Sequence, residues 1–389
     1  MNSPRQNFLL TSAFQASLFL GALACKAQSF TQTLGGLGAQ DGVGAWALPT
    51  GFQVAVRDHS SGPEGYNAKL LTTNATGGAV GLVDLALPVN SFLQQVVNAP
   101  DGSAFVVGSS LHDAPRGHDA LILRMNTAGE VLWMLQPELP GPQQLFGGTA
   151  LADGGAVLCG LDAQNGGHRP FVLRCSASGE ITWTYFGPNG PDAEAYAVAV
   201  EGDAILVTGR QRTFSGHDDI LLIRLDLAGN PIWNSSLGGN AQDVGRAVVS
   251  LGSGEFLIAG WTNSFGTFDI SSQRRPYHAY LLAIDLDGDT LWTRTLGDTT
   301  YDQRAYAMQR LPSGDLYLAG ERGTSALSNA MVMRTSSTGS IQWQRALDLG
   351  KEERLTHILP LSDGLLTTGW SFGEFGRQTL LVKRNAEGN

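Results

Sequence analysis

Two sets of side chains recur through this sequence at intervals that chemistry could use. Carboxylates stand at Asp41, Asp192, Asp243, Asp302 and Glu352, and imidazoles at His118, His168, His217 and His278, with His59 and His112 in segments of the same kind. Five acids gathered at one place could hold a cation, and several imidazoles could ligate a transition metal. Both readings depend on whether the elements that carry these residues bring them to a shared ion, at about 2 Å from each ligand atom.

Those elements are repeats. The stretch Gly216 to Gly239, GHDDILLIRLDLAGNPIWNSSLGG, has an apolar run (Ile220 to Leu225), a polar turn ending in Gly229, then Trp233 and a closing Leu-Gly-Gly. The Gly-x-x-x-Trp signature returns at Gly129/Trp133, Gly179/Trp183, Gly229/Trp233, Gly288/Trp292 and Gly339/Trp343, so the tryptophans are 50, 50, 59 and 51 residues apart. Short apolar or alternating runs separated by Gly, Asp and Asn turns predict four antiparallel strands per unit. In the unit of Trp233 they are Tyr196 to Val200, Ala204 to Gly209, Ile220 to Leu225 and Pro231 to Leu237. The 59-residue interval places an insertion at Ser264 to Ala279, between second and third strands.

A further unit precedes these, with strands at Gly51 to Val56 and Lys69 to Thr73 and Leu82 near the tryptophan position. Another follows, with Leu365 to Gly369 and Leu380 to Lys383 but no fourth strand. Ser29 to Gly36, SFTQTLGG, lays over IWNSSLGG at 232 to 239, with Phe30 on Trp233. An orphan strand at one end and a missing strand at the other imply ring closure, which removes ends that an open stack would have to cap. The fold expected is all-β: a seven-bladed β-propeller of four-stranded antiparallel blades over residues 28–389, closed by the N-terminal strand.

This architecture weighs on both chemical readings. The acids fall just before the innermost strands, with Ser91 and Gln143 near that place in two units, so they could ring one mouth of a central channel. The expectation is instead that each carboxylate accepts turn N–H bonds and positions its own strand, because a repeated residue usually serves the repeat. The histidines precede third strands. With strands about 4.8 Å apart, equivalent positions in neighbouring blades are roughly 12 to 15 Å apart, too far to share a metal. No metal site is expected.

The turns LDLAGNPIW, MNTAGEVLW and IDLDGDTLW resemble the tryptophan-docking motif of quinoprotein-like (PQQ-like) β-propeller repeat proteins of the exported bacterial type. The resemblance implies that the Trp strand is outermost, with its indole packed between blades. It also raises quinone-dependent oxidoreductase activity. Against that, the chain lacks the vicinal Cys-Cys pair those dehydrogenases use, and it has seven blades where they have eight. No cofactor is expected.

The first residues, MNSPRQNFLLTSAFQASLFLGALACKA, carry an early cation and an apolar run before small residues, which reads as an export signal over residues 1–27. The chain is then secreted, at the cell surface or periplasmic, with acylation of Cys25 the lesser alternative. No other segment could span a bilayer. Removing residues 1–27 takes Arg5 and Lys26 and no acid, leaving 23 Lys+Arg against 35 Asp+Glu. Nucleic acid is therefore excluded as a partner, since phosphate binding needs a basic footprint. Cys159 and Cys175 are expected as buried thiols and not as a disulfide.

No G-x-S-x-G, H-E-x-x-H, phosphate loop or nucleotide fingerprint occurs, so no catalytic residue is assigned. What remains is a surface of loops between second and third strands, carrying Tyr66, Phe214, Trp261, Trp370, Phe372 and Phe375. Within the insertion, Phe265, Phe268, Arg274, Arg275 and Tyr277 offer stacking faces and bidentate donors suited to a glycan or an acidic peptide. The expected function is an exported, monomeric, non-catalytic binding or scaffold module, with a propeller enzyme such as a quinone-dependent oxidoreductase as the alternative.

Overall fold

The computed structural model describes residues 29–35, 39–59, 67–88, 90–111, 117–164, 167–190, 192–266, 268, 274–298, 300–324, 327–374 and 376–389. The expected export signal, Cys25, Tyr66, His112 and Phe375 lie outside them. Among the described residues all regular structure is β-strand, and no helix is long and apolar enough to cross a membrane.

Seven sheets of four antiparallel strands form the seven blades. Blade I runs from Gln40 to Asp84, II from Ser91 to Leu135, III from Gln143 to Phe186, IV from Ala193 to Leu237, V from Asp243 to Leu296, and VI from Asp302 to Leu347. Blade VII takes three strands from Glu353 to Asn385 and its fourth from Phe30–Leu34, with Phe30 opposite Lys383 and Leu34 opposite Thr379. The first strands of neighbouring blades touch all the way round, so they enclose a central axis. In blade IV the strands are Ala193–Glu201, Ala204–Arg212, Asp218–Asp226 and Pro231–Leu237. The first three run past their apolar cores because their polar ends continue the ladder toward the mouth.

Both sheet faces of each blade are buried against neighbours, which is why second and third strands read as continuous apolar runs. The core is divided among seven clusters, one per seam, such as Val207, Leu221 and Ile223 of blade IV against Val157 and Val172 of blade III. The turn between third and fourth strands explains the recurrent Asp/Asn…Gly. Asp226 accepts the amides of Ala228 and Asn230, both at 2.9 Å or less, and Gly229 takes φ +83°. Tryptophans from the preceding blade dock on this turn. Trp133, Trp183, Trp233 and Trp343 donate their indole N–H to Ala177, Leu227, Leu286 and Ala386 carbonyls at 2.9–3.1 Å.

Blade I departs from the expectation. By strand register the tryptophan position is Gly81, opposite Thr72 as Trp233 is opposite Arg224, and Leu82 is an exposed neighbour. The space against Gly129 of the next blade is taken by Gln53 from the second strand instead.

Each innermost strand carries a bulge at its mouth end, leaving Val43, Gln94, Phe146, Tyr196, Arg246, Tyr306 and Thr356 out of register. Opposite it, six second strands have glycine: Gly108, Gly160, Gly209, Gly260, Gly320 and Gly369. A Cβ on any of them would run into a carbonyl of the inner strand.

Candidate functional site

The five acids do not form a ring. Counted from the bulge, Asp41, Asp243 and Asp192 stand at three different registers, and each carboxylate is bound within its own surroundings. Asp192 accepts the His168 amide at 3.0 Å, and Asp302 the Tyr277 amide at 2.8 Å. Asp243 accepts the Gly239 amide at 2.7 Å and the hydroxyls of Thr262 and Ser264. Asp41 takes Arg57 at 2.6 Å and both His59 and Arg377 at 3.3 Å. Burial raises its pKa, but the His59 hydrogen bond and the two guanidinium groups outweigh that and hold it at about 2. In blade VII the buried acid is Glu353, one residue beyond Glu352. It accepts the Leu349 amide at 3.3 Å, and burial pushes its carboxyl up to about 7.

The histidines likewise have separate partners. His168 meets Glu194 at 3.1 Å, His217 lies 3.2 Å from the Ser215 hydroxyl, and His278 is buried. Among the described residues no three His, Cys, Asp or Glu side chains come together as a metal site. Cys159 and Cys175 are free and buried on the second and third strands of blade III, and burial pushes the Cys175 thiol up to about 11.

The insertion folds onto blade VI. Arg274 binds Asp302 at 2.6 Å, and the Tyr277 ring lies under the Arg304 guanidinium at 4.0 Å. Arg275 reaches the Ser264 carbonyl at 3.5 Å. Phe265 and Phe268 are about half exposed, at 48% and 47%. Phe265 stacks on Tyr280 with centroids 5.6 Å apart and planes 22° apart. Together they border a groove of about 390 Å³ at the seam of blades IV and V, lined also by Ile220, Leu237 and the hydroxyl-bearing Thr290, Thr293 and Thr295. The structure thus splits the five candidate residues. Arg274 and Tyr277 hold the insertion down, whereas Phe265, Phe268 and Arg275 face outward. Of the other loop aromatics, Phe214 is fully exposed and Trp370 is buried.

The bulges build a second group that sequence reasoning missed. Tyr196, Arg246 and Tyr306 are the out-of-register residues of blades IV, V and VI. The Arg246 guanidinium lies 4.1 Å from the Tyr196 ring centroid and 5.7 Å from that of Tyr306. Arg354 stands 4.7 Å from the same Tyr306 ring, and Trp261 packs on it at 5.2 Å. Glu321 binds Arg304 at 2.9 Å and Arg354 at 2.7 Å, and accepts the Tyr306 hydroxyl at 3.0 Å. Tyr196, Arg246, Arg304, Tyr306 and Arg354 are all partly open to solvent. Residues 196, 246 and 306 follow the 50- and 59-residue tryptophan intervals to within one residue, so aligning the units by their inner strands would have revealed a tyrosine–arginine–tyrosine row.

No family model matches the chain, and no curated protein matches it. Among solved structures, an ulvan lyase described as a new family of polysaccharide lyase aligns over 92% of this chain and 96% of its own at 9% identity, with a TM-score of 0.55. The WD40 domain of Pan2 from Neurospora crassa aligns over 91% and 98% at 8% identity, with a TM-score of 0.50. These likenesses are to the fold.

Proposed function

We propose that this protein is a non-catalytic binding module that takes an acidic glycan across the mouth of blade V. The observation that carries the reading is the set of groups at the mouth end of that blade: Arg246 on the first strand, Trp261 on the second against blade VI, and Tyr280 on the third, stacked under Phe265 of the insertion at the blade IV seam. Aromatic faces flanked by hydroxyls and guanidinium groups suit a carbohydrate ring that bears negative charge. First and third strands are about 10 Å apart, so one ligand laid over the mouth can span from Arg246 to Phe265. The fold is able to host such a ligand, since the ulvan lyase structure is bound to -[GlcA(1-4)Rha3S]-. We further propose that the protein works outside the cytoplasm, on the strength of the residue 1–27 pattern, and that its docking turns derive from the quinoprotein-like repeat type.

A glycan-array screen of the purified protein beside the Phe265→Ala variant tests this, with an absorption spectrum for bound quinone in parallel. Acidic glycans should be retained by the parent and released by the variant. Equal retention by both would remove the groove from the site. A stoichiometric quinone chromophore would replace the binding reading with an oxidoreductase.

A further inference from the structure

Arg246 is the one arginine of the mouth group without a carboxylate. Among the described residues it makes no ion pair, and its Nε, shielded from solvent, has no acceptor. Its two close neighbours are phenol rings. Burial pushes the Tyr196 hydroxyl up to about 12 and raises that of Tyr306, so neither supplies a counter-charge. The adjacent carboxylates are engaged elsewhere. Glu194 binds Arg210 at 2.6 Å and the Tyr196 hydroxyl at 2.5 Å, and Asp302 binds Arg274. Glu321 is shared by Arg304 and Arg354, so three guanidinium groups around Tyr306 face one carboxylate and the group keeps two positive charges.

A chain with 35 acids against 25 Lys+Arg could have placed a carboxylate here. Rings hold Arg246 in position without neutralising it, which is how a cation is kept oriented for an anion from outside. We propose that Arg246, steadied by Tyr196 and Tyr306, is the subsite that binds the carboxylate of a uronic acid residue. This deepens the glycan-binding reading and rests on it for the saccharide. The planar fork of Arg246 can donate bidentately to a carboxylate, and the rings that pack against it keep the fork oriented.

The test is calorimetric titration of the protein with glucuronate, glucose, sulfate and a hexaglutamate peptide, using the parent, Arg246→Gln, Arg246→Lys and Phe265→Ala. Glucuronate should bind saturably, glucose should not, and Arg246→Gln should weaken glucuronate by about tenfold or more, as loss of one charge-assisted fork predicts. Arg246→Lys keeps the charge without the fork and should fall between them. It also answers the objection that the neutral variant is misfolded, as does a melting curve for each protein. Absence of glucuronate binding, or equal binding by Arg246→Gln, overturns the proposal. Sulfate or hexaglutamate binding more tightly than glucuronate overturns the uronic acid assignment. Failure of the groove is separable: Phe265→Ala that leaves glycan retention intact while Arg246→Gln abolishes glucuronate binding rejects the groove alone.

Discussion

The ring of Phe30 fills the space into which a side chain on Gly77 would grow, and Gly77 leaves it free while holding φ +80°. The same relation joins Trp133 to Gly179, Trp183 to Gly229 and Trp343 to Gly388. A strand from the start of the chain therefore docks the last blade onto the first just as blades II, III, IV and VI dock onto their successors. Replacing Gly77 by Ala would add both a strained backbone and a collision with Phe30, and should cost about 2 kcal/mol. Urea unfolding measures it, and an unchanged midpoint would mean that this seam is not closed in solution.

Deleting residues 29–36 should do more. It strips the partner from Gly376–Asn385 and leaves an unpaired edge, which invites association with other chains. Light scattering should show oligomers or aggregates; a monomer with the parent melting temperature would contradict the shared blade.

Trp233→Ala removes a partly buried indole and its 2.9 Å bond to Leu286. The expected loss is about 2–3 kcal/mol, at the low end for an aromatic truncation because the ring is not fully enclosed. A loss below about 1 kcal/mol would assign the indole to the surface.

Asp41 ties blades VII and I together through Arg57 and Arg377. Its folded pKa of about 2 lies below the ordinary 3.8, so its stabilisation is present above about pH 4 and is lost as pH falls toward 2. Asp41→Asn should cost about 2 kcal/mol at neutral pH, discounted from a fully buried pair because Arg377 is partly exposed. The gap between variant and parent should close on acidification. A gap that persists at pH 2 would show that the carboxylate charge is not what matters.

Glu353 has the opposite sign. Its folded pKa of about 7 stands above the ordinary 4.5, so the folded state retains a proton that the unfolded state has lost between those values, and stability falls as pH rises through that window. Glu353→Gln should therefore raise the melting temperature at pH 8 more than at pH 5. An equal effect at both would remove the titration from the explanation.

The ring, the blade count and the shared blade were legible because they follow from periodicity and from two complementary ends. The mouth was not. Asp41, Asp243 and Asp192 stand two, three and four residues before the bulge, and one residue decides which way a side chain points. Asp41, Asp192 and Asp243 read as equivalents on that account, and Glu352 was taken where Glu353 is the buried acid. The Arg246 group was hidden for a different reason: Tyr196 and Tyr306 lie on the blades to either side, and only the packing of neighbouring inner strands places them beside the arginine. Phe265 could be singled out because the insertion breaks the period, but Tyr280, on which it stacks, looked like any third-strand residue.

The pairing of Phe30 with Lys383 also fixes how the molecule would respond to mechanical load. The chain enters blade VII at Phe30 and leaves it after Asn385, at the same end of an antiparallel ladder. Tension between those two points pulls across the hydrogen bonds and not along the strands, so they part singly, from Phe30 toward Leu34, as a zipper opens. The seam that completes the ring is thus the one that yields first to a pull, and the other six blades lie beyond it, unloaded until it has opened.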